Sequence, residues 1–268
     1  MTSVVAQAYL ETFDPLLDLL EASQVAAAWE APSVLVSMTV GDLAAHLARA
    51  VTLTPVFLAN DPAGTPVTAH QRLTAVPWAT SGPGSAANTE ICQWAHDDAA
   101  AGPQAVAAHA RSVAPGVRAL IEAQDPDRRV GFPAEGVSLS LDDYLALRLL
   151  EVAAHSDDLA CSVGLPTPGL PARAQQALSH LLVDVAVVRH GWPSVLRTLT
   201  RSERAPVAGI SVLAASHTAK NDEVNGSSAA SSHGAGMSPE PGTRIPPVIA
   251  QVVSRSPRAE TTVHRASS

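Results

Sequence analysis

Apolar residues along this chain recur at spacings of three and four, a pattern that predicts a mostly helical protein. The first such segment covers residues 4–28, and Asp14-Pro15 inside it predicts a kink or a restart of the helix. A second helix is predicted to begin at Thr39, because Asp42 three residues later fits a capping box. Alternation of apolar and polar residues is scarce, so the pattern does not favour strands.

Glycine and proline separate the later segments. Residues 61–85 are rich in Gly, Pro, Ser and Thr and predict a loop, as does the sequence DPDRRVGFPAEGV at 125–137. Ser140 and Asp143 fit a second capping box, and the helix that follows them should stop at Gly164. The other helices are expected over residues 86–101, 103–124, about 171–189 and 191–199.

These patterns divide the chain into two parts. Residues 1–206 are predicted to form an all-α domain. Residues 207–268 are predicted to be a low-complexity, disordered tail, because 214–268 are rich in Ser, Ala, Pro, Gly and Thr and contain no aromatic residue.

Composition and charge narrow the function classes. A formal charge of −8 argues against binding a nucleic-acid backbone, which needs clustered Lys and Arg. No apolar run approaches the roughly 20 residues that cross a bilayer, and the N-terminus lacks the basic start of a signal peptide, so a cytoplasmic protein without membrane contact is expected. Cys92 and Cys161 form no CxxC pair and are expected to be buried as small hydrophobic residues.

The candidate chemistry lies on two helices. Glu151 and His155 are four residues apart, so they point within about 40° of each other on one helix face. His46 lies between Leu43 and Leu47 on the apolar face of the second helix. Polar groups that point inward are costly unless something satisfies them. Three such ligands from two facing helices would form a zinc site with an open coordination position. From the spacing alone, a histidine on an apolar face is more often hydrogen-bonded in a core than bound to a metal, and Glu/His pairs four residues apart also occur as ordinary contacts on a helix surface.

Two stretches resemble a known family. MTVGDLAAHLARA (38–50) and LEVAAHSDDLACSVGLPTP (150–168) are similar to the signature segments of the mycothiol-dependent maleylpyruvate isomerase N-terminal type, within the DinB/YfiT-like superfamily of metal-binding four-helix bundles. AAWEAPSVL (27–35) resembles the Trp-x-x-Pro-Ser segment that precedes them, and RHGWPSVLRTLTRSERAP (189–206) resembles a common C-terminal segment. The resemblance implies a four-helix bundle with one or two extra C-terminal helices.

The resemblance also implies a ligand set and a reaction. The family's metal ligands correspond here to His46, Glu151 and His155, with zinc as the expected metal. The family's low-molecular-weight thiol, such as mycothiol, would act as cosubstrate, and its thiolate would add to a small electrophile in an isomerase or S-transferase reaction. Residues 207–268 do not resemble the separate substrate-binding domain of the isomerase, so maleylpyruvate is not assigned as the substrate.

Three neighbouring residues are candidates for supporting roles. Arg148 either holds an anionic substrate, orients the Glu151 carboxylate or forms a plain intrahelical ion pair. Asp157 and Asp158 are either acceptors for the second ring nitrogen of a ligand histidine or solvated surface groups. Two other functions stay open: a metal-dependent hydrolase that uses bound water, and a non-catalytic metal-binding or regulatory module. The sequence leaves the oligomeric state undetermined.

Overall fold

The computed structural model describes residues 2–82, 84–125, 127–206 and 209–213. This part of the chain is mostly helical, as the all-α prediction expected, and short 3₁₀ turns cover Pro133–Glu135 and Ser202–Arg204. The α-helices are α1 (Val4–Leu10), α2 (Phe13–Leu20), α3 (Ser23–Ala27), α4 (Val40–Thr52), α5 (Thr54–Leu58), α6 (Ala69–Ala75), α7 (Pro77–Thr80), α8 (Ala86–Ala99), α9 (Pro103–Glu122), α10 (Leu141–Val163), α11 (Ala172–His190) and α12 (Trp192–Thr200).

A small three-stranded sheet interrupts the helices. It consists of β1 (Thr65–Pro66), β2 (Arg129–Phe132) and β3 (Val137–Ser140) in the order β1-β3-β2, with β2 antiparallel and β1 parallel to β3. The prediction of a loop over 125–137 was therefore wrong for β2 and the start of β3. Strands of two to four residues are too short to show a period of two, and the pairing that stabilises them lies between distant segments.

The predicted loop over residues 61–85 was also wrong, because it contains β1, α6 and α7. Thr68 caps α6 through a capping box with Gln71, a local signal that the glycine and proline content obscured. Leu73 of α6 is buried, and α6 packs against α11 and α10. A helix of seven residues is marginal alone, so this packing stabilises it.

The amino-terminal segment restarts as the prediction allowed. α1 ends at Leu10, and α2 begins at Phe13, so that Pro15 lies in the first turn of α2, where its missing N–H is not needed. Tyr9 and Phe13 pack edge to face with ring centroids 4.9 Å apart, which holds the two helices together across the break.

Helix α4 occupies the centre of the helical packing. It contacts α8, α9 and α10, and almost all of its residues are buried. Its predicted capping box is confirmed: the Asp42 N–H donates to the Thr39 hydroxyl at 3.0 Å, and the Thr39 N–H donates to the Asp42 carboxylate at 2.9 Å. Arg49 forms an ion pair of 2.6 Å with the buried Asp98 and thereby ties α4 to α8.

Helix α10 runs from Leu141 to Val163 and ends at Gly164, whose φ of 70° lies in the left-handed region that favours glycine. Its predicted capping box is only half present. The Asp143 N–H donates to the Ser140 hydroxyl at 3.1 Å, but the Asp143 carboxylate accepts from the Ser140 hydroxyl and the Ala69 N–H instead of the Ser140 backbone. The carboxylate thus joins α10 to the start of α6.

Three further expectations meet different outcomes. The burial predicted for the cysteines was wrong: Cys161 is exposed, and Cys92 is only half-buried. The C-terminal helices exist as α11 and α12, whereas the four-helix bundle and the domain boundary at 206 stay predictions. The predicted tail, 207–268, lies outside the described residues except for 209–213.

None of the described helices has the length and apolar character needed to cross a membrane.

Close packing between Trp29 and Gly41 fixes the start of α4. Trp29 is 8% exposed, and its indole N–H donates to the Ala99 carbonyl at 3.3 Å. The Gly41 N–H donates to the Trp29 carbonyl at 2.8 Å. A Cβ atom added at Gly41 would lie 2.6 Å from Cε2 of the indole, a distance too short for two carbon atoms.

We therefore expect Gly41→Ala to lower the free energy of unfolding by about 1–3 kcal/mol, because the indole must move out of a well-packed position. The matched control is Gly116→Ala within α9, where no atom lies within 4 Å of the new methyl group. That variant should be neutral or more stable by up to about 1 kcal/mol, because alanine favours the helix. Urea unfolding of both variants measures the difference, and equal stabilities would contradict the packing argument.

Candidate metal centre

Packing of α4 against α10 brings three polar side chains together. His46 on α4 faces α10, because its Nε2 atom lies 3.5 Å from Oε2 of Glu151 on that helix. Glu151 and His155 meet it from α10, one turn apart. The three residues predicted from the sequence therefore lie in one place, and each side chain retains about 18% of its exposure.

We call His46, Glu151 and His155 the triad. The Nε2 atoms of its two histidines both lie close to the Glu151 carboxylate. Its Oε2 atom lies 3.5 Å from His46 Nε2 and 3.3 Å from His155 Nε2. All three ligand atoms lie within 4.8 Å of one another, and the two imidazole rings meet edge to face with centroids 4.8 Å apart. In the described part of the chain, no other group of His, Cys, Asp and Glu side chains meets the same distance.

These separations fit a small divalent cation. Zinc bound to histidine nitrogen and carboxylate oxygen has bonds of about 2.0–2.2 Å, and tetrahedral geometry then separates two ligand atoms by about 3.4 Å. The two nitrogen-to-oxygen distances in the triad are 3.5 and 3.3 Å. A zinc ion could therefore bind between Glu151 Oε2 and the Nε2 atoms of His46 and His155, and the two distances to Oε2 would change little.

Asp158 fixes the orientation of one histidine. Its carboxylate Oδ2 lies 3.0 Å from His155 Nδ1, so that Nε2 is the ring nitrogen left facing the triad. A metal-ligating histidine commonly donates its other N–H to a carboxylate in this way. Asp158 can reach His155 because it follows three residues later, and side chains three residues apart lie on nearly the same face of a helix.

Electrostatics keep the Glu151 carboxylate ionised. Burial acts to raise its pKa, but hydrogen bonding with His155 and His46, together with the positive charge of Arg148, outweighs burial and holds the pKa well below its usual range. A carboxylate must be ionised to bind a cation, so Glu151 is prepared for that role at neutral pH.

The two histidines differ in their protonation. Burial, reinforced by the charges of His155 and Arg49, lowers the pKa of His46 despite its hydrogen bond with Glu151. For His155, burial acts to lower the pKa, but Asp158 and Glu151 outweigh it and raise the pKa to about 9. At neutral pH His46 is therefore neutral and His155 carries a proton, which an incoming cation must displace.

Neither Asp157 nor Arg148 forms a hydrogen bond or an ion pair with a triad residue, and for Asp157 this agrees with the alternative of a solvated surface group. Asp157 is exposed and accepts a hydrogen bond from the Thr167 hydroxyl, because two residues along a helix turn a side chain away from His155. Arg148 forms no ion pair with Glu151 and instead lies over the rings of Phe57 and Tyr144. Phe57 lies in a separate segment, and no signal in the sequence connects it to α10, so the contact of Arg148 with these rings was not predicted.

A comparison with protein families finds the mycothiol maleylpyruvate isomerase N-terminal domain over residues 10–160. Because this match covers more than half of the chain and includes both α4 and most of α10, the chain belongs to that family. Comparisons with curated proteins and with solved structures give no match. Membership connects the chain with mycothiol-related chemistry, and it supports the resemblance drawn from the two signature segments.

We expect the purified protein to hold about one equivalent of a divalent metal such as zinc. The single substitutions His46→Ala, Glu151→Ala and His155→Ala should each remove most of it, because each deletes one of the three candidate ligands that converge in the described part of the chain. The matched control is His180→Ala, an exposed histidine on α11. Elemental analysis after dialysis measures the stoichiometry. Stoichiometric zinc in all three triad variants would place the metal elsewhere.

A second comparison separates the two aspartates. Asp158→Asn should lower zinc affinity about 10–100-fold, because His155 loses the charged acceptor that orients its ring. Asp157→Asn, whose side chain contacts Thr167 instead, should leave the affinity unchanged. Competition with a chromophoric chelator measures both values. An equal loss in the two variants would mean that general negative charge, and not the contact with His155, supports binding.

Proposed function

We propose that this member of the family binds one divalent metal, zinc, through His46, Glu151 and His155, and acts as a mycothiol-dependent isomerase or S-transferase on a small electrophile. The observation that carries the proposal is the convergence of two imidazole nitrogens and one carboxylate oxygen within 4.8 Å. This donor set suits zinc, and three protein ligands are typical of a catalytic site that leaves one position for a substrate.

The chain's own groups prepare the site for an external ligand. The Glu151 carboxylate holds its negative charge between the two histidines, and Asp158 keeps His155 turned so that Nε2 faces the triad. The triad side chains are about one-fifth exposed, so a small molecule can approach them from solvent. When a divalent cation is bound, it lowers the pKa of a thiol that reaches it and so supplies a thiolate at neutral pH.

The cysteines support the choice of an external thiol. Neither Cys92 nor Cys161 belongs to the group of ligand atoms around Glu151. Cys161 is exposed on α10, six residues after His155 and turned away from it by about 120°. Burial, with a further contribution from the charge of Asp42, raises the pKa of the Cys92 thiol and keeps it protonated. A reactive sulfur at the metal must therefore come from a separate molecule, and the family's name identifies mycothiol as the candidate.

The proposal is tested with cobalt in place of zinc. Adding mycothiol, or a simpler thiol, to the cobalt-loaded protein should produce a charge-transfer band from sulfur to metal, because such a band requires direct ligation at the open position. One proton per site should be released near neutral pH, since a thiol with a pKa of about 8.5 must ionise to bind. Absorption spectroscopy and a pH indicator in weak buffer record the two signals.

The control is the double variant Cys92→Ser with Cys161→Ser, which should keep both signals, because neither side chain lies in the triad. If fully cobalt-loaded protein shows neither the band nor proton release, thiol activation is wrong. In that case the hydrolase and the non-catalytic module become the functions to test, the first with ester and amide substrates. Loss of the band in the cysteine variant alone would show that a protein thiol supplies the sulfur.

A further inference from the structure

A small cavity lies between α4, α8 and α9, on a different face of α4 from the triad. Ala45, Ala48 and Thr52 line it from α4, and at 100° per residue these positions point about 100–160° away from His46. The cavity has room for about one water molecule. It is therefore separate from the candidate metal centre and too small for the thiol or the electrophile proposed there.

Asp98 on α8 lines this cavity and has one carboxylate oxygen without a partner. The side chain is almost fully buried, since Asp98 is 6% exposed, and its Oδ2 atom accepts a hydrogen bond from Arg49 at 2.6 Å. Its Oδ1 atom is shielded from solvent and has no hydrogen-bond donor in the described part of the chain. A carboxylate in an ion pair can only accept hydrogen bonds, and an unsatisfied buried oxygen destabilises the folded state. Oδ1 therefore needs a donor that the described residues do not supply.

His109 on α9 lines the same cavity and has a buried ring nitrogen without a partner. Its Nε2 atom is shielded from solvent and makes no hydrogen bond with any residue that the structure describes. Burial lowers the pKa of the His109 ring, although the charge of Asp98 acts in the opposite direction, so the ring is neutral at neutral pH. Asp98 Oδ1 and His109 Nε2 do not bond to each other directly, and a molecule between them would satisfy both atoms.

The charges around the cavity select a neutral polar molecule. The guanidinium of Arg49 lies next to Asp98 and would repel a second cation, and the carboxylate of Asp98 would repel an anion. Neither Asp98 nor His109 belongs to a group of three potential metal ligands among the described residues. An apolar molecule would leave Asp98 Oδ1 without a donor. Water both donates and accepts hydrogen bonds, and one water molecule matches the size of the cavity.

We propose that the cavity between α4, α8 and α9 is a binding site for one ordered water molecule, which donates a hydrogen bond to Asp98 Oδ1 and bonds to His109 Nε2. The buried Thr52 hydroxyl lines the same cavity and would complete three hydrogen bonds, the number typical of a buried water. The ion pair of Arg49 and Asp98 joins α4 to α8, and the water extends this connection to α9. It therefore helps to hold the helix that carries His46 without touching the triad.

NMR of the full chain, with zinc and without, tests the site in solution. With methyl-labelled alanine and valine, cross-relaxation with a long-lived water should appear at the methyl groups of Ala48 and Val106, because both residues line the cavity. It should be absent at Val117, which is fully buried about 16 Å farther along α9 and does not line the cavity. His109→Leu should remove most of the signal, since the water loses one of its bonds and exchanges faster with solvent. Zinc should change none of these signals.

A pair of matched substitutions gives a second measurement. Val106→Thr and Val117→Thr each add one hydroxyl to a buried position of α9 without a change in side-chain size. The urea midpoint should fall less in Val106→Thr, because the water in the cavity can bond to the new hydroxyl, whereas Val117 lies in the apolar core. This comparison also tests the site if His109→Leu fails to fold.

Three results would overturn the inference. The absence of a water signal at both Ala48 and Val106 would mean that the cavity is dry, and an unchanged signal in His109→Leu would mean that the water does not bond to Nε2. Equal urea midpoints of the two threonine variants would contradict hydration beside Val106. The inference does not depend on thiol activation, so an absent cobalt–thiol band leaves each of these measurements able to decide it.

Discussion

The contact between α4 and α10 places three polar side chains inside an apolar interface, and the arrangement around them follows from the need to satisfy those groups. The Glu151 carboxylate finds partners on both helices. Its Oε2 atom lies 3.5 Å from His46 Nε2 across the interface and 3.3 Å from His155 Nε2 on its own helix. A buried carboxylate without such partners would be strongly destabilising. The same convergence produces the only group of potential metal ligands in the part of the chain that the structure describes.

The position of α4 controls this convergence, and several independent contacts fix it. The capping box of Thr39 and Asp42 sets where the helix begins, and the close approach of Trp29 to Gly41 sets how its first turn packs. Farther along, the ion pair between Arg49 and Asp98 joins α4 to α8. Because α4 supplies only His46 to the triad, a small shift of this helix would separate one ligand atom from the two on α10.

Charge around the triad is distributed unevenly between its two ends. On the C-terminal side along α10, Asp158 faces His155 and contributes to its raised pKa. On the N-terminal side, Arg148 contributes to the low pKa of Glu151, while its own Nε has no acceptor among the residues that the structure describes. The charge along this face of α10 therefore changes from positive at Arg148 to negative at Asp158, with Glu151 between them.

The sequence alone determined the features that depend on neighbours along the chain. The helical period gave the mostly helical class, local capping residues gave the start of α4, Gly164 gave the end of α10, and the spacing of Glu151 and His155 placed them on one face. The first signature segment, and the part of the second that carries Glu151 and His155, fall within residues 10–160, which match the family. Spacing along one helix also distinguishes Asp158, three residues after His155, from Asp157, which is only two residues after it.

Only the tertiary structure decided the features that depend on contacts between distant segments. The strands β1, β2 and β3 are too short to show a period and exist through pairing between residues 65–66, 129–132 and 137–140. Packing against α11 and α10 stabilises α6 inside a segment whose composition predicted a loop. The distance from His46 to Glu151, and the stacking of Arg148 on Phe57, each join residues about a hundred positions apart. No local pattern encodes such contacts, because packing of the whole chain is what brings the segments together.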